Sequence, residues 1–119
     1  MTLPEYGIVV GKGVYSSTVS YYKEIKQHEY GHILQYKQFL SALGSKEAAL
    51  SAYYQQVGAP SAISGILHRL TGGVWNHYTL AVEMEANRLS SAYFGSRYIP
   101  NPIKFPLNNA IFSFTVSLN

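Results

Sequence analysis

Two histidines four residues apart, with a glutamate directly after the first, are the residues of this chain best suited to chemistry. They lie in the stretch QHEYGHILQY, residues 27–36, where His28, Glu29 and His32 form the pattern H-E-x-x-H. On an α-helix, positions four apart project only about 40° from each other, so both imidazoles face one point. Neutral imidazoles placed in this way can hold zinc, and Glu29 can then take a proton from a water that the metal activates. The same pattern also arises by chance on ordinary amphipathic helices, which is the alternative interpretation.

The residues around the motif carry the signals of a long helix. Hydroxyl side chains at positions 16–18 offer N-caps, apolar residues recur at helical spacing, and Gly44 is a natural stop. These signals predict a helix from about Val19 to Ala42. A glycine inside a helix costs ~1 kcal/mol relative to alanine, so Gly31 within the motif predicts that another segment approaches the helix closely there.

A catalytic zinc site needs a third protein ligand, and the glutamates outside the motif supply the candidates. The chain has neither cysteine nor aspartate. On a helix predicted from about Thr79 to Phe94, Glu83 belongs to a largely apolar stripe, whereas Glu85 projects to the opposite side. A carboxylate that points inward is costly unless it is paired or binds a metal, so Glu83 is the predicted third ligand. The alternative is a buried carboxylate that is satisfied by tyrosines.

Three further residues are candidates for supporting roles. Asn87 lies one turn after Glu83 and is predicted to accept the second ring N–H of a ligating histidine. His77, Tyr78 or another tyrosine is predicted to donate a hydrogen bond to the oxyanion that develops during hydrolysis. The alternatives are a solvent-facing Asn87 and a packing role for His77 and Tyr78.

The rest of the sequence predicts an α+β fold that is mainly helical. The helix that bears H-E-x-x-H is expected to pack on the helix that carries the third ligand, with short N- and C-terminal strands. The prolines of YIPNPIKFP exclude helix from the segment after the second of these helices. The remaining predicted elements are a strand or hairpin over 6–15, a helix over 45–56 capped by Ser45, a turn over 57–65 leading to a short helix that ends at 71–73, and a strand over 110–118.

Composition sets the broad class of protein. The chain has 119 residues, which predicts one domain over 1–119, and whether it is an excerpt of a longer protein stays open. Its net charge of +3 comes from scattered basic residues, which do not form the basic stripe of nucleic-acid binders. No signal peptide and no apolar run of the ~20 residues of a membrane span are found. The location is left unknown, with export or a membrane-associated or secreted bacterial protein as open possibilities, and so is the oligomeric state.

The stretch HEYGH, followed at a distance by EMEANRL, resembles the gluzincin-type zinc metallopeptidases. Within that group it is similar to minigluzincin-like domains and to the prenyl-protease-like family. The resemblance covers about residues 25–37 and 80–95. It implies that His28, His32 and Glu83 bind Zn²⁺ and that Glu29 is the general base. The aspartate common in that setting is Asn87 here, and the flanking membrane helices of the family are missing.

Together these observations predict a zinc-dependent metallopeptidase that acts on a peptide or protein substrate. Two alternatives stay open. One is a non-catalytic, metallopeptidase-like binding module that keeps the zinc site. The other is a basic interaction domain, rich in its 11 tyrosines, in which the motif is accidental.

Overall fold

The computed structural model describes residues 2–3, 7–8 and 19–107, and this part of the chain is mainly helical. Two short strands, β1 and β2, pair antiparallel with Thr2 opposite Ile8. None of the helices in the described ranges is long and apolar enough to cross a membrane. The elements are β1 Thr2–Leu3, β2 Gly7–Ile8, α1 Val19–Leu43, α2 Lys46–Tyr53, α3 Ala59–Leu70 and α4 Ala81–Phe94.

The helices begin and end largely where the sequence signals place them. The predicted bounds of α1 are confirmed to within one residue. Ser45 caps α2, and its side chain accepts a hydrogen bond from the Ala48 N–H at 3.2 Å. Gly95, with φ at +57°, ends α4. Only glycine adopts that backbone region without strain, so this stop is encoded locally.

The predicted turn over 57–65 is wrong, because the chain stays helical there. A π-helical segment, Tyr54–Gly58, joins α2 directly to α3. Pro60 lies in the first turn of α3, a position that tolerates proline. Val57 is fully buried at 0 % exposure, so tertiary packing holds the segment in helical form.

The predicted terminal strands lie mostly outside the described residues. Of the N-terminal stretch 6–15, only Gly7–Ile8 is described, and it forms β2. The predicted strand over 110–118 lies outside the described part altogether. The C-terminal strand therefore stays a prediction.

The hydrophobic core lies where α1, α2, the π-helical segment and α4 meet. Its buried members are Tyr36, Phe39, Ala49, Tyr53, Val57 and Val82. Among the described elements, α1 makes its most extensive contact with α4. A Cβ placed on Gly31 would meet the Ala86 backbone, which confirms the close approach predicted at this glycine.

The segment after α4 returns to α1 and is fastened to it by hydrogen bonds. The Gln27 side-chain amide donates to the Ile99 carbonyl at 2.7 Å and accepts from the Ile99 N–H at 3.0 Å. Further on, Asn101 Nδ2 donates to Glu24 Oε2 at 2.8 Å. These contacts place the segment around residues 99–101 beside α1, within one turn before His28.

Candidate metal centre

Helices α1 and α4 bring His28, His32 and Glu83 together in the protein interior. Their exposed fractions are 9 %, 4 % and 3 %. One ligand atom from each residue lies within 4.8 Å of the other two. His32 Nε2 lies 2.8 Å from Glu83 Oε2, and His28 Nε2 lies 3.9 Å from Glu83 Oε1. The cluster therefore contains the three residues that the sequence predicted as ligands.

The second ring nitrogen of His32 is engaged by a glutamine on the same helix. His32 Nδ1 lies 2.7 Å from Gln35 Oε1, and Gln35 Nε2 donates to the Val82 carbonyl at 2.8 Å. Because a carbonyl only accepts, the Gln35 amide must present its nitrogen to Val82 and its oxygen to His32. His32 Nδ1 is therefore the protonated ring nitrogen, and in neutral imidazole Nε2 carries a lone pair toward Glu83.

His28 is held in the same manner by an asparagine from α4. His28 Nδ1 lies 2.5 Å from Asn87 Oδ1, and Asn87 Nδ2 donates to the Pro106 carbonyl at 2.9 Å. Pro106 thus fixes the Asn87 amide with its oxygen toward the ring, so that His28 Nδ1 donates. Phe105 stacks on the His28 ring with centroids 5.0 Å apart. Asn87 is placed where it can accept the N–H of the histidine.

These two networks leave electron-rich atoms facing one another in a buried space. When both histidines are neutral, each directs an Nε2 lone pair at the Glu83 carboxylate, and within the described part of the chain Glu83 Oε2 then lacks a hydrogen-bond donor. Buried acceptors that face acceptors are unfavourable unless a positive charge lies between them. A proton on His32 or a metal ion would meet this need. Two imidazoles and a carboxylate suit Zn²⁺, and other divalent transition metals as well.

Without a metal, the charges of Glu83 and His32 stabilise each other. Burial alone lowers the pKa of His32, but the Glu83 charge and hydrogen bond outweigh it and raise that pKa to about 9. Burial acts in the opposite direction on Glu83, yet the charge of His32, together with contacts from His28, His32 and His77, holds the pKa of Glu83 well below the usual range. Glu83 is therefore ionised at neutral pH and supplies the negative charge of the centre.

The other face of Glu83 is held by two residues from outside the motif. Ser61 Oγ on α3 donates to Glu83 Oε1 at 2.9 Å, and His77 Nε2 lies 2.7 Å from the same oxygen. These contacts leave Oε2 as the oxygen directed at His32. His77 thus contacts a candidate ligand directly, and the oxyanion role predicted for it stays a prediction.

The cluster opens into a cavity of about 460 Å³. Half-buried Glu29 lines it beside His28 and His32, and Tyr78 lines it next to His77. Tyr53 also lines it; burial, followed by the charges of Glu29 and Glu83, raises the pKa of this phenol, which therefore keeps its proton. The cavity brings every candidate site residue together, with Asn87 on its wall.

Glu85, by contrast, lies away from the cluster. It is buried at 3 % exposure, and Arg88 donates to both of its oxygens at 2.8 and 2.6 Å. The buried charge of Glu85 is thus compensated by Arg88, which belongs to the same helix. The helical stripe thus separates the two glutamates as predicted.

Gln35, Ser61 and Tyr53 were not found by sequence reasoning. Gln35 follows His32 by three residues on one helix, a spacing that places side chains next to each other, so a signal for it exists. Ser61 lies where a turn was expected, and its contact with Glu83 depends on how α3 packs.

Comparisons with protein-family models, curated proteins and solved structures found no match to this chain.

Proposed function

We propose that the protein is a metal-dependent hydrolase, with zinc as the metal and a peptide bond as the bond that is cleaved. The observation that supports this most directly is the convergence of His28, His32 and Glu83 on one buried point. The Nδ1 atom of each histidine, which faces away from that point, is held by a hydrogen bond. Such hydrogen bonds fix the tautomer and the ring orientation that a ligating histidine needs. In this proposal α1 is the active-site helix and α4 carries the third ligand.

A bound divalent metal would supply Lewis acidity for a carbonyl and would lower the pKa of water. Glu29 is adjacent to His28 in sequence and lines the cavity, and it is not among the three residues whose ligand atoms converge. It accepts a proton from the attacking water and delivers that proton to the nitrogen of the leaving amine.

The negative charge that develops on the carbonyl oxygen needs a hydrogen-bond donor. Tyr53, Tyr78 and His77 all line the cavity. The phenol of Tyr53 keeps its proton well above neutral pH because of its burial, so it is available as a donor. Fixed donors of this kind stabilise a transition state because they need no reorganisation during the reaction.

The cavity favours a peptide substrate because it combines an apolar lining with a few polar groups. Ile25, Val57 and Phe105 contribute apolar surface next to the candidate ligands. Sites of this composition bind side chains through burial and orient them through the polar groups.

The test is cleavage of an unfolded, casein-like protein by the full chain. The chain is prepared metal-free, reloaded with one equivalent of zinc, and compared with His32→Ala. We expect cleavage only by the zinc-loaded wild type, and stoichiometric zinc only in the wild type. Zinc binding without cleavage would support the non-catalytic binding module instead. If neither zinc nor another divalent transition metal binds, the motif is accidental.

A further inference from the structure

The segment that follows α4 forms one wall of the cavity and carries a lysine into it. Lys104 and Phe105 both line the cavity. The Lys104 backbone N–H donates to Asn101 Oδ1 at 3.1 Å, and Asn101 in turn donates to Glu24 of α1. On the other side of Lys104, the Pro106 carbonyl accepts from Asn87 of α4. The position of Lys104 is therefore fixed from both helices that supply the candidate ligands.

The ammonium group of Lys104 is also held in place. Lys104 Nζ lies 5.0 Å from the centroid of the Tyr78 ring, and the side chain is half-buried. A cation over an aromatic face is attracted to it, which reduces the freedom of the flexible stem. Tyr78 follows His77, whose Nε2 contacts Glu83. The lysine thus lies on the part of the wall that adjoins the metal centre.

Within the described residues, no carboxylate pairs with this ammonium. The carboxylates whose ion pairs are described include Glu83, which faces the histidines, and Glu85, which pairs with Arg88. Glu24, which contacts the lysine-bearing segment, accepts a hydrogen bond from the Asn101 amide. A half-buried ammonium without a paired carboxylate gains most from an anionic partner, and a lysine provides three donors for one.

We propose that Lys104 binds a carboxylate of the substrate, so that the cavity takes peptides with an acidic group close to the scissile bond. This inference rests on the proposed hydrolase function. The carboxylate has two sources in a peptide, the free C-terminus and the side chain of glutamate or aspartate. Both present the same charged oxygens to Lys104, and the experiment separates them.

The first measurement is kcat/KM on matched peptides with the zinc-loaded chain. One pair differs only in a C-terminal carboxylate against an amide, and the other only in an internal glutamate against glutamine. We expect the acidic member of one pair to be preferred about tenfold or more, the usual scale for a hydrogen bond to a charged group. The pair that shows the preference identifies the source of the carboxylate.

Lys37 provides a matched control for Lys104. It too lies over a tyrosine, 5.8 Å from the Tyr30 centroid, but it is not among the cavity residues. Lys104→Met should abolish the preference, Lys104→Arg should retain most of it, and Lys37→Met should leave it unchanged. A preference that survives Lys104→Met overturns the proposal.

The second measurement does not depend on hydrolysis. An N-acetylated dipeptide acid and its amide are titrated into the metal-free protein by NMR, because a carboxylate would also ligate a bound metal. We expect the acid to bind about tenfold more tightly than the amide, both to wild type and to Lys37→Met, and this difference should fall at high salt. Lys104→Met should bind the acid and the amide equally. Equal binding of acid and amide to wild type excludes the free C-terminus as the source, and equal binding of a matched pair with internal glutamate and glutamine as well overturns the proposal.

The two measurements keep the two proposals apart. If no peptide is cleaved while the acid is still preferred in binding, the hydrolase function fails and the Lys104 site stands. If peptides are cleaved with no preference in either pair and acid and amide bind equally, the hydrolase function stands and the Lys104 site fails.

Discussion

Gly31 lies directly against Ala86, so that a Cβ added to the glycine would be 2.0 Å from the Ala86 carbonyl oxygen. Real Cβ atoms do not approach a carbonyl oxygen so closely, and the backbones of α1 and α4 are in contact here. Gly31 stands between His28 and His32, and Ala86 stands between Glu83 and Asn87. The closest approach of the two helices is therefore also the place where the candidate ligands meet.

Gly31→Ala should therefore destabilise the protein, whereas Gly65→Ala should not. Overpacking of a tight contact costs about 1–3 kcal/mol or more. A Cβ on Gly65, in the interior of α3, meets nothing within 4 Å, and alanine there is favoured over glycine by up to ~1 kcal/mol. Urea unfolding of the metal-free variants measures both effects. Equal stability of the two variants would contradict the close contact between the helices.

Glu83→Gln should lose the metal, and Glu85→Gln should keep it. Both glutamates belong to α4 and are exposed by only 3 %, so burial does not distinguish them. Glutamine at 83 removes the negative charge that the two histidines face. At 85 it weakens the ion pair with Arg88, which lowers stability and leaves the centre intact.

Metal content by mass spectrometry and thermal unfolding together check this pair of variants. Glu85→Gln is a demanding control, because it changes a buried charge two residues away. If folded Glu85→Gln loses the metal while Glu83→Gln retains it, the assignment of the two faces of α4 is wrong.

The stability of the metal-free protein should fall with rising pH, whereas its affinity for the metal should increase. The pKa of His32 is raised from 6.5 to about 9 in the folded, metal-free state. A raised pKa contributes stability that is fully present below about 6.5 and is lost as the pH rises through about 9. The metal competes with that same proton, so the apparent metal affinity should instead rise across this range.

Calorimetry in buffers of different ionisation enthalpy measures the proton that the metal displaces. At pH 7 we expect release of close to one proton from His32 for each zinc bound, and less release above pH 9. His32→Ala serves as the control and should show neither the release nor the loss of metal-free stability between pH 6.5 and 9. Proton uptake on zinc binding by wild type would contradict the coupling of His32 with Glu83.

The elements that position the candidate site are encoded locally, which is why the sequence predicts them. Helix α1 carries a stop at Gly44, and the periodicity of α4 separates Glu83 from Glu85. Gly31 signalled a close approach through its cost within a helix. These signals depend on residues a few positions away in the sequence, so they can be recognised before the fold is known.

The parts that the sequence did not predict depend on long-range packing. Pro60 and Gly58 are typical of a turn, yet the buried side chain of Val57 holds the segment helical, and Pro60 is accommodated in the first turn of α3. As a result, Ser61 reaches Glu83 from a helix that was expected to start later. Lys104 reaches the cavity because Asn101 and Pro106 are fastened to different helices, and no periodicity encodes that arrangement.

Glu29→Gln should keep the metal and abolish hydrolysis. The side chain of Glu29 lies next to His28 in sequence, but His28, His32 and Glu83 are the residues whose ligand atoms converge. Glutamine preserves the shape of Glu29 and cannot accept a proton. Loss of a general base costs about 10²–10⁴-fold in rate, so kcat should fall by that factor while the zinc content stays near that of wild type.

Glu47→Gln is the matched control, since Glu47 is exposed near the start of α2 and undergoes the same change of charge. Zinc content and cleavage of an unfolded, casein-like substrate are measured for all three proteins. Undiminished cleavage by Glu29→Gln would exclude Glu29 as the base, because no other change in that variant could restore the lost proton acceptor. If none of the three cleaves while all hold zinc, the centre binds metal without the proposed catalysis, and the non-catalytic binding module becomes the better account of His28, His32 and Glu83.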